Sequence, residues 1–128
     1  MGTETGVKIL IVEDNANNRL LLKAVLTYYG YAVLEAANGE EGLRLAREEK
    51  PGLIIMDIQM RVMDGITAVK ALKADPSTKN IKTIAVTSYA MKGDRENFLD
   101  AGFDGYLAKP IDTRQLPETI KHYLANNT

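Results

Sequence analysis

Apolar residues along the chain follow two alternating patterns. Short unbroken runs, such as residues 9–12 and 53–56, are typical of parallel strands that are buried on both faces. Between these runs, apolar residues recur every three or four positions, which is typical of amphipathic helices. The two patterns predict five strands, each followed by a helix, with the strands at about residues 8–12, 32–36, 53–57, 83–87 and 105–108.

Helix boundaries are predicted from residues that cap helix ends. An asparagine among residues 15–18 is placed to begin the first helix, and Asp112 is placed to begin the last. Asn38-Gly39 is compatible with a hairpin turn or with a helix cap, and the helical spacing that follows it favours the cap. Pro117 fits only the first turn of the last helix, so the start of that helix is the least defined boundary.

The alternation of strands and helices predicts parallel βαβ units with right-handed crossovers. The predicted fold class is therefore α/β, a doubly wound five-stranded parallel sheet of the flavodoxin-like type with strand order 2-1-3-4-5. In this order strands 1, 3, 4 and 5 are neighbours. Such sheets bind their ligands at the carboxyl edge, where these strands carry Glu13 and Asp14, Asp57, Thr87 and Lys109.

Composition and charge narrow the classes of function. With 128 residues and a net charge of −1, we expect one domain, at residues 7–125, and no electrostatic preference for nucleic acid or a membrane surface. The chain has no cysteine, which excludes disulfides and thiolate metal sites. No apolar run approaches the roughly 18 residues of a membrane span. We expect a cytoplasmic protein in which residues 1–6 form a disordered tail.

Three carboxylates at one edge of a sheet repel each other unless a cation lies among them. Mg²⁺ prefers oxygen ligands and typically takes one or two carboxylates together with water. We predict that Asp14 and Asp57 bind Mg²⁺ directly and that Glu13 binds it directly or through water. The backbone carbonyl of Gln59 is a further predicted ligand, and Lys109 can pair with Asp57 when the ion is absent.

The same groups suit the transfer of a phosphoryl group. A divalent cation, a lysine and a hydroxyl can stabilise the charge of a phosphoryl group in transfer. A carboxylate can act as the nucleophile and form an aspartyl phosphate. Asp57 is the candidate acceptor because it stands between the acidic pair and the groups of Thr87 and Lys109. The hydroxyl of Thr87 can donate a hydrogen bond to a phosphoryl oxygen.

The chain resembles the receiver domain of two-component response regulators from residue 8 to residue 124, and the resemblance is carried by Glu13, Asp14, Asp57, Thr87, Lys109 and Pro110. It implies that Asp57 accepts a phosphoryl group, with Mg²⁺ as cofactor, from the phosphohistidine of a histidine kinase or through a histidine phosphotransfer protein. It also implies that Thr87 and Lys109 contact the phosphoryl group and that the Lys109–Pro110 bond is cis. Tyr106 is then an aromatic switch, and downstream partners bind the surface of the fourth helix, fifth strand and fifth helix.

Further features refine this resemblance. Residues 13–15 and 89–94 are similar to single-domain receivers of the DivK-like kind, and because the sequence ends just past the last helix we expect no output domain. Arg61 is a departure, since the family often has proline four residues after the phosphorylated aspartate. The family consists of signalling proteins, which at most catalyse their own phosphorylation and dephosphorylation.

Two other functions are compatible with the same fold. An aspartyl-phosphate phosphatase usually has a second acid two residues after the nucleophile, where this chain has Gln59. A pseudo-receiver binds other proteins without phosphorylation, and it is disfavoured because every position of the site carries the residue that the chemistry needs.

Overall fold

The computed structural model describes residues 6–88 and 94–125. Residues 1–5 of the predicted tail, and residues 89–93 of the stretch that is similar to DivK-like receivers, lie outside these ranges. The strands are β1 (Lys8–Val12), β2 (Ala32–Ala36), β3 (Leu53–Asp57), β4 (Lys82–Thr87) and β5 (Gly105–Ala108). The helices are α1 (Ala16–Tyr28), α2 (Gly39–Glu49), α3 (Gly65–Ala74), α4 (Asp94–Ala101) and α5 (Leu116–Ala125).

The strands form one parallel sheet in the order β2-β1-β3-β4-β5, which confirms the predicted fold class. Strand β3 lies at the centre, between β1 and β4, and β2 and β5 are the edges. No helix within residues 6–88 and 94–125 has both the length and the apolar character needed to cross a lipid bilayer.

The central strand shows why its sequence is an unbroken apolar run. Leu53 and Ile55 belong to a buried cluster on one face of the sheet, together with apolar side chains of α1 and α5. Ile54 and Met56 belong to a second cluster on the other face, which includes side chains of α2, α3 and α4. All four are at most 1% exposed, and each contributes about 1.5–3 kcal/mol by leaving water. Helices on both faces therefore require apolar residues at positions 53–56 of β3.

Three helices begin at the side chain of a capping residue. The side chain of Asn15 accepts a hydrogen bond from the backbone N–H of Asn18 at the start of α1. Asn38 caps α2 in the same way, which confirms the helix and excludes the hairpin turn, and Asp64 caps α3. Such a cap is worth about 1 kcal/mol. Because α1 and α3 begin directly after β1 and β3, their caps fix the loops at the carboxyl edge of the sheet.

The last helix begins later than predicted. We expected Asp112 to cap it, whereas α5 begins at Leu116 and a turn occupies residues 113–115. The backbone carbonyl of Asp112 accepts hydrogen bonds from the N–H groups of Gln115 and Leu116, which closes this turn. Pro117 is the physical reason, since it has no N–H to donate and its ring would clash with the helix if a full turn preceded it.

Candidate functional site

The three predicted carboxylates converge at the carboxyl edge of the sheet. Val12 of β1 is paired with Met56 of β3, so the next residues, Glu13 and Asp57, lie side by side. One ligand oxygen from each of Glu13, Asp57 and Asp14 lies within 4.8 Å of the others. Glu13 is only 2% exposed and Asp57 only 4%. Glu13 and Asp57 are therefore held out of water next to Asp14. Together the three residues supply carboxylate oxygens, which are the ligands that a hard divalent cation prefers.

Lys109 lies among these acids. Its Nζ is 3.4 Å from Oε1 of Glu13 and 3.3 Å from Oδ1 of Asp57. The backbone positions it at the end of β5, where the N–H of Lys109 donates to the carbonyl of Thr87 at 2.8 Å, and the Lys109–Pro110 peptide bond is cis. One ammonium group thus serves two buried carboxylates.

The surroundings of Glu13 shift its pKa. Burial raises the pKa of Glu13, and the neighbouring Asp57 raises it further. The N–H of Asn15, which donates to Oε2 at 3.1 Å, and the charge of Lys109 lower the pKa again but do not cancel the rise. A cation bound at this cluster would remove the cost of keeping Glu13 ionised.

The loop after β3 is fixed to the candidate acceptor. The N–H of Gln59 donates to Oδ1 of Asp57 at 3.2 Å. The N–H of Gly65, the first residue of α3, donates to the carbonyl of Ile58 at 2.9 Å and so closes the loop at its base. A Cβ added at Gly65 would lie 2.5 Å from the backbone oxygen of Asp57, closer than any real Cβ contact. The start of α3 therefore packs directly on the backbone of Asp57, and only glycine fits there.

Thr87 and Tyr106 lie on adjacent strands. Thr87 ends β4, is 1% exposed and is paired in register with Ala108 of β5. Tyr106 is half-buried two residues before Ala108, and its ring lies 6.2 Å from the ring of Phe98 in α4. Thr87 is thus at the carboxyl edge with the acids, whereas Tyr106 lies further back and packs under α4.

Two clefts adjoin the cluster. One of about 370 Å³ is lined by Glu13, Asn18, Leu21, Ser88, Lys109, Pro110 and Ile111. The other, of about 490 Å³, is lined by Asp14, Ile58, Gln59, Met60, Arg61, Asp64 and Ile66. Glu13 and Asp14 therefore each line a cleft that a small molecule can enter.

Two arginines at the site were not assigned a role from the sequence. Nη1 of Arg19, in α1, donates to the backbone carbonyl of Glu13 at 2.8 Å, and Nε of Arg61 lies 3.5 Å from Oδ2 of Asp14. Arg19 lies one turn after the N-cap Asn15, which placed it near the acidic pair even in the sequence. Arg61 was noted only as a departure from the usual proline.

Comparisons with known proteins agree with this geometry. A family model for the response regulator receiver domain matches residues 9–121. The polar-differentiation response regulator DivK of Brucella anthropi is 43% identical over 118 residues, which are 92% of this chain and 96% of that protein.

Two solved structures are similar as well. The receiver domain of a Pseudomonas aeruginosa sensor histidine kinase, with a magnesium ion coordinated in its active-site cleft, superposes with a TM-score of 0.88 at 35% identity, covering 95% of this chain and all of that one. The receiver domain of a Saccharomyces cerevisiae response regulator, in a co-crystal with a histidine phosphotransfer signalling protein, gives 0.88 at 26% identity, with coverage of 96% and 92%.

Proposed function

The chain belongs to the response regulator receiver family of two-component signalling, and from this premise we propose that it accepts a phosphoryl group on Asp57 in a Mg²⁺-dependent reaction. The donor is the phosphohistidine of a histidine kinase or of a histidine phosphotransfer protein. The observation that carries the proposal is the position of Asp57, which is buried beside Glu13 and Asp14 with Lys109 at 3.3 Å.

Asp57 supplies the nucleophile. A carboxylate oxygen attacks the phosphorus of the donor, an oxygen–phosphorus bond forms, and the nitrogen–phosphorus bond of the phosphohistidine breaks. The electron pair of the broken bond stays on the imidazole, which takes up a proton from solvent. The hydrogen bond from Gln59 N–H holds the carboxylate of Asp57, and the packing of Gly65 holds its backbone, while the donor approaches. Binding of the donor then costs little reorganisation of the acceptor.

The cluster fits a magnesium ion. Asp14 and Asp57 would hold it directly, Glu13 would hold it directly or through water, and the backbone carbonyl of Gln59 is a further ligand. All are the hard oxygen ligands that Mg²⁺ prefers, and when bound the ion neutralises charge on the transferring phosphoryl oxygens.

Lys109 and Thr87 act on the phosphoryl group from the other side. In the described structure Lys109 pairs with both Glu13 and Asp57. Once Asp57 carries a phosphoryl group, its ammonium can pair with a phosphoryl oxygen instead. Thr87 ends the neighbouring strand β4, so its hydroxyl can donate to a second phosphoryl oxygen. Positive charge and donors that are already in place stabilise charge as it develops in the transition state.

Phosphorylation changes the positions of the Thr87 and Tyr106 side chains. Movement of Thr87 towards the phosphoryl group opens space beside β5, and Tyr106 turns into it from its present contact with Phe98. This changes the surface formed by α4, β5 and α5, to which a downstream protein binds. Phosphorylation then shifts an equilibrium between two arrangements of this region.

The proposal is tested by intact mass after incubation with acetyl phosphate and Mg²⁺. We expect one added phosphoryl group on the wild type, and none on Asp57→Asn or after chelation of the metal. Asp75→Asn, which removes a half-buried acid at the end of α3 that does not belong to the cluster, is the matched control and should be phosphorylated like the wild type. If no adduct forms and a Mg²⁺ titration shows no binding, the pseudo-receiver becomes the better interpretation.

A further inference from the structure

Each acid of the cluster has a cationic partner, but the partners differ. Lys109 lies between Glu13 and Asp57, whereas Asp14 is paired with Arg61. We infer that Arg61 competes with Mg²⁺ for Asp14 and that this competition lowers the metal affinity of this receiver. The inference rests on the proposed Mg²⁺ site, which includes Asp14 as a direct ligand.

The geometry puts Arg61 on a carboxylate oxygen of Asp14, one of the proposed metal ligands. Nε of Arg61 is 3.5 Å from Oδ2 of Asp14, and both residues line the same cleft. Arg61 belongs to the loop between β3 and α3, four residues after Asp57, where its long side chain can reach back across the edge of the sheet. A proline at this position has no charge and could not form the contact.

The charges make the two cations mutually exclusive at Asp14. A guanidinium within a few ångströms of a divalent ion is repelled by it, so Arg61 must release Asp14 when the metal binds. The Arg61 side chain is 86% exposed and that of Asp14 only 21%, so the arginine can move into water while the acid stays in place. Because exposed pairs are weak and are screened by salt, we expect a modest effect, about three- to tenfold in affinity at low ionic strength.

The experiment is a Mg²⁺ titration, followed by amide NMR shifts, of the wild type, Arg61→Gln, Arg61→Lys and a control variant. We expect Arg61→Gln to bind Mg²⁺ about three- to tenfold more tightly than the wild type at low salt, and Arg61→Lys to stay within about twofold of it. Arg47→Gln removes the same charge from an exposed arginine paired with Asp75, and it should leave the affinity unchanged.

Salt distinguishes competition from a structural role of the loop. If Arg61 competes with Mg²⁺ for Asp14, the ratio of the Mg²⁺ affinity of Arg61→Gln to that of the wild type should fall towards one as NaCl is raised to about 0.5 M. The inference would be overturned if the gain in Mg²⁺ affinity were the same at every salt concentration. It would also be overturned if Arg61→Gln bound Mg²⁺ as tightly as the wild type, or more weakly. Absence of Mg²⁺ binding in every protein, the wild type included, would instead overturn the proposed site and this inference with it.

Discussion

The two ends of the sheet are both rich in charge, yet they use it differently. At the amino end, Oδ2 of Asp104 accepts the N–H of Thr83 at 2.8 Å and lies 3.4 Å from Nζ of Lys73. The same Nζ donates to the carbonyls of Lys79 and Ile81. At the carboxyl end three acids share the cations of Lys109 and Arg61.

The difference concerns the balance of charge. The carboxylate of Asp104 faces the Thr83 N–H, Nζ of Lys73 and Nζ of Lys82, which lies 4.0 Å from Oδ1 of Asp104. These groups therefore balance one another's charge, and they connect α3, β4 and β5. At the carboxyl end acid is in excess, and burial of Glu13 makes that excess costly. The amino end therefore stabilises the fold, whereas the carboxyl end gives up stability, which the proposed binding of a cation and a phosphoryl group would explain. The following variants test that contrast.

The largest effect is expected at the amino end. Asp104→Ala leaves the Thr83 N–H and Lys73 without their carboxylate, and we expect the free energy of unfolding in urea to fall by about 2–3 kcal/mol. The control is Asp112→Ala, because Asp112 pairs with an arginine that is 90% exposed, and it should cost much less stability than Asp104→Ala. Equal losses for the two variants would contradict a stabilising role for Asp104.

The opposite sign is expected at the carboxyl end. Glu13→Gln removes a buried charge, and without Mg²⁺ at neutral pH we expect the free energy of unfolding to rise by about 1 kcal/mol, while the affinity for Mg²⁺ falls. Urea unfolding and a metal titration measure the two effects. A loss of stability would mean that the pair with Lys109 outweighs the cost of burial.

The pH dependence identifies the cause of that gain. The pKa of Glu13 is raised above its ordinary value of 4.5 in the folded protein. At pH values between the ordinary pKa and the raised pKa, the folded state therefore binds more protons than the unfolded state. The contribution of Glu13 to stability therefore falls as pH rises through this interval. The advantage of Glu13→Gln should grow from near zero around pH 4.5 to its full size at neutral pH. A constant advantage would point to a cause other than ionisation.

The smallest effect is a change of conformation without loss of stability. With beryllofluoride and Mg²⁺ as a mimic of the phosphoryl group, we expect amide NMR shifts to change at Thr87, Ser88 and Tyr106. The amides of Thr83 and Asp104, at the other ends of the same strands, should change least. Unchanged amide shifts throughout residues 87–106 would count against the switch. Equal changes at the carboxyl and amino ends of the sheet would show that the amino end does not keep its conformation.

Local patterns in the sequence predicted most of the fold. Strand β3 reads as an unbroken apolar run because helices cover both of its faces, and Asn38 identified the start of α2 through a hydrogen bond to a residue only three positions away. The start of α5 was missed because the effect of Pro117 extends over a full turn before it.

The part of the candidate site that lies at the ends of strands was predictable from the sequence. A parallel sheet brings Glu13, Asp14, Asp57 and Lys109 to one edge once the strand order is known. The pair of Lys109 with Asp57 was predicted for this reason, whereas pairs that form away from the strand ends were not predictable. Lys73 and Asp104 are 31 positions apart in the sequence, and the reach of Arg61 to Asp14 depends on the path of the loop after β3.

That loop has a consequence for how receivers of this kind can diverge. Its two ends are joined by the hydrogen bond from Gly65 N–H to Ile58, and Gly65 lies against the backbone of Asp57. Substitutions at the tip, where Arg61 lies, leave both ends and the acceptor in place. The inferred competition between Arg61 and Mg²⁺ would let natural selection adjust the metal affinity of such a protein at the tip of the loop without endangering its fold. In the laboratory the same tip is a suitable site for exchanging short sequences between family members.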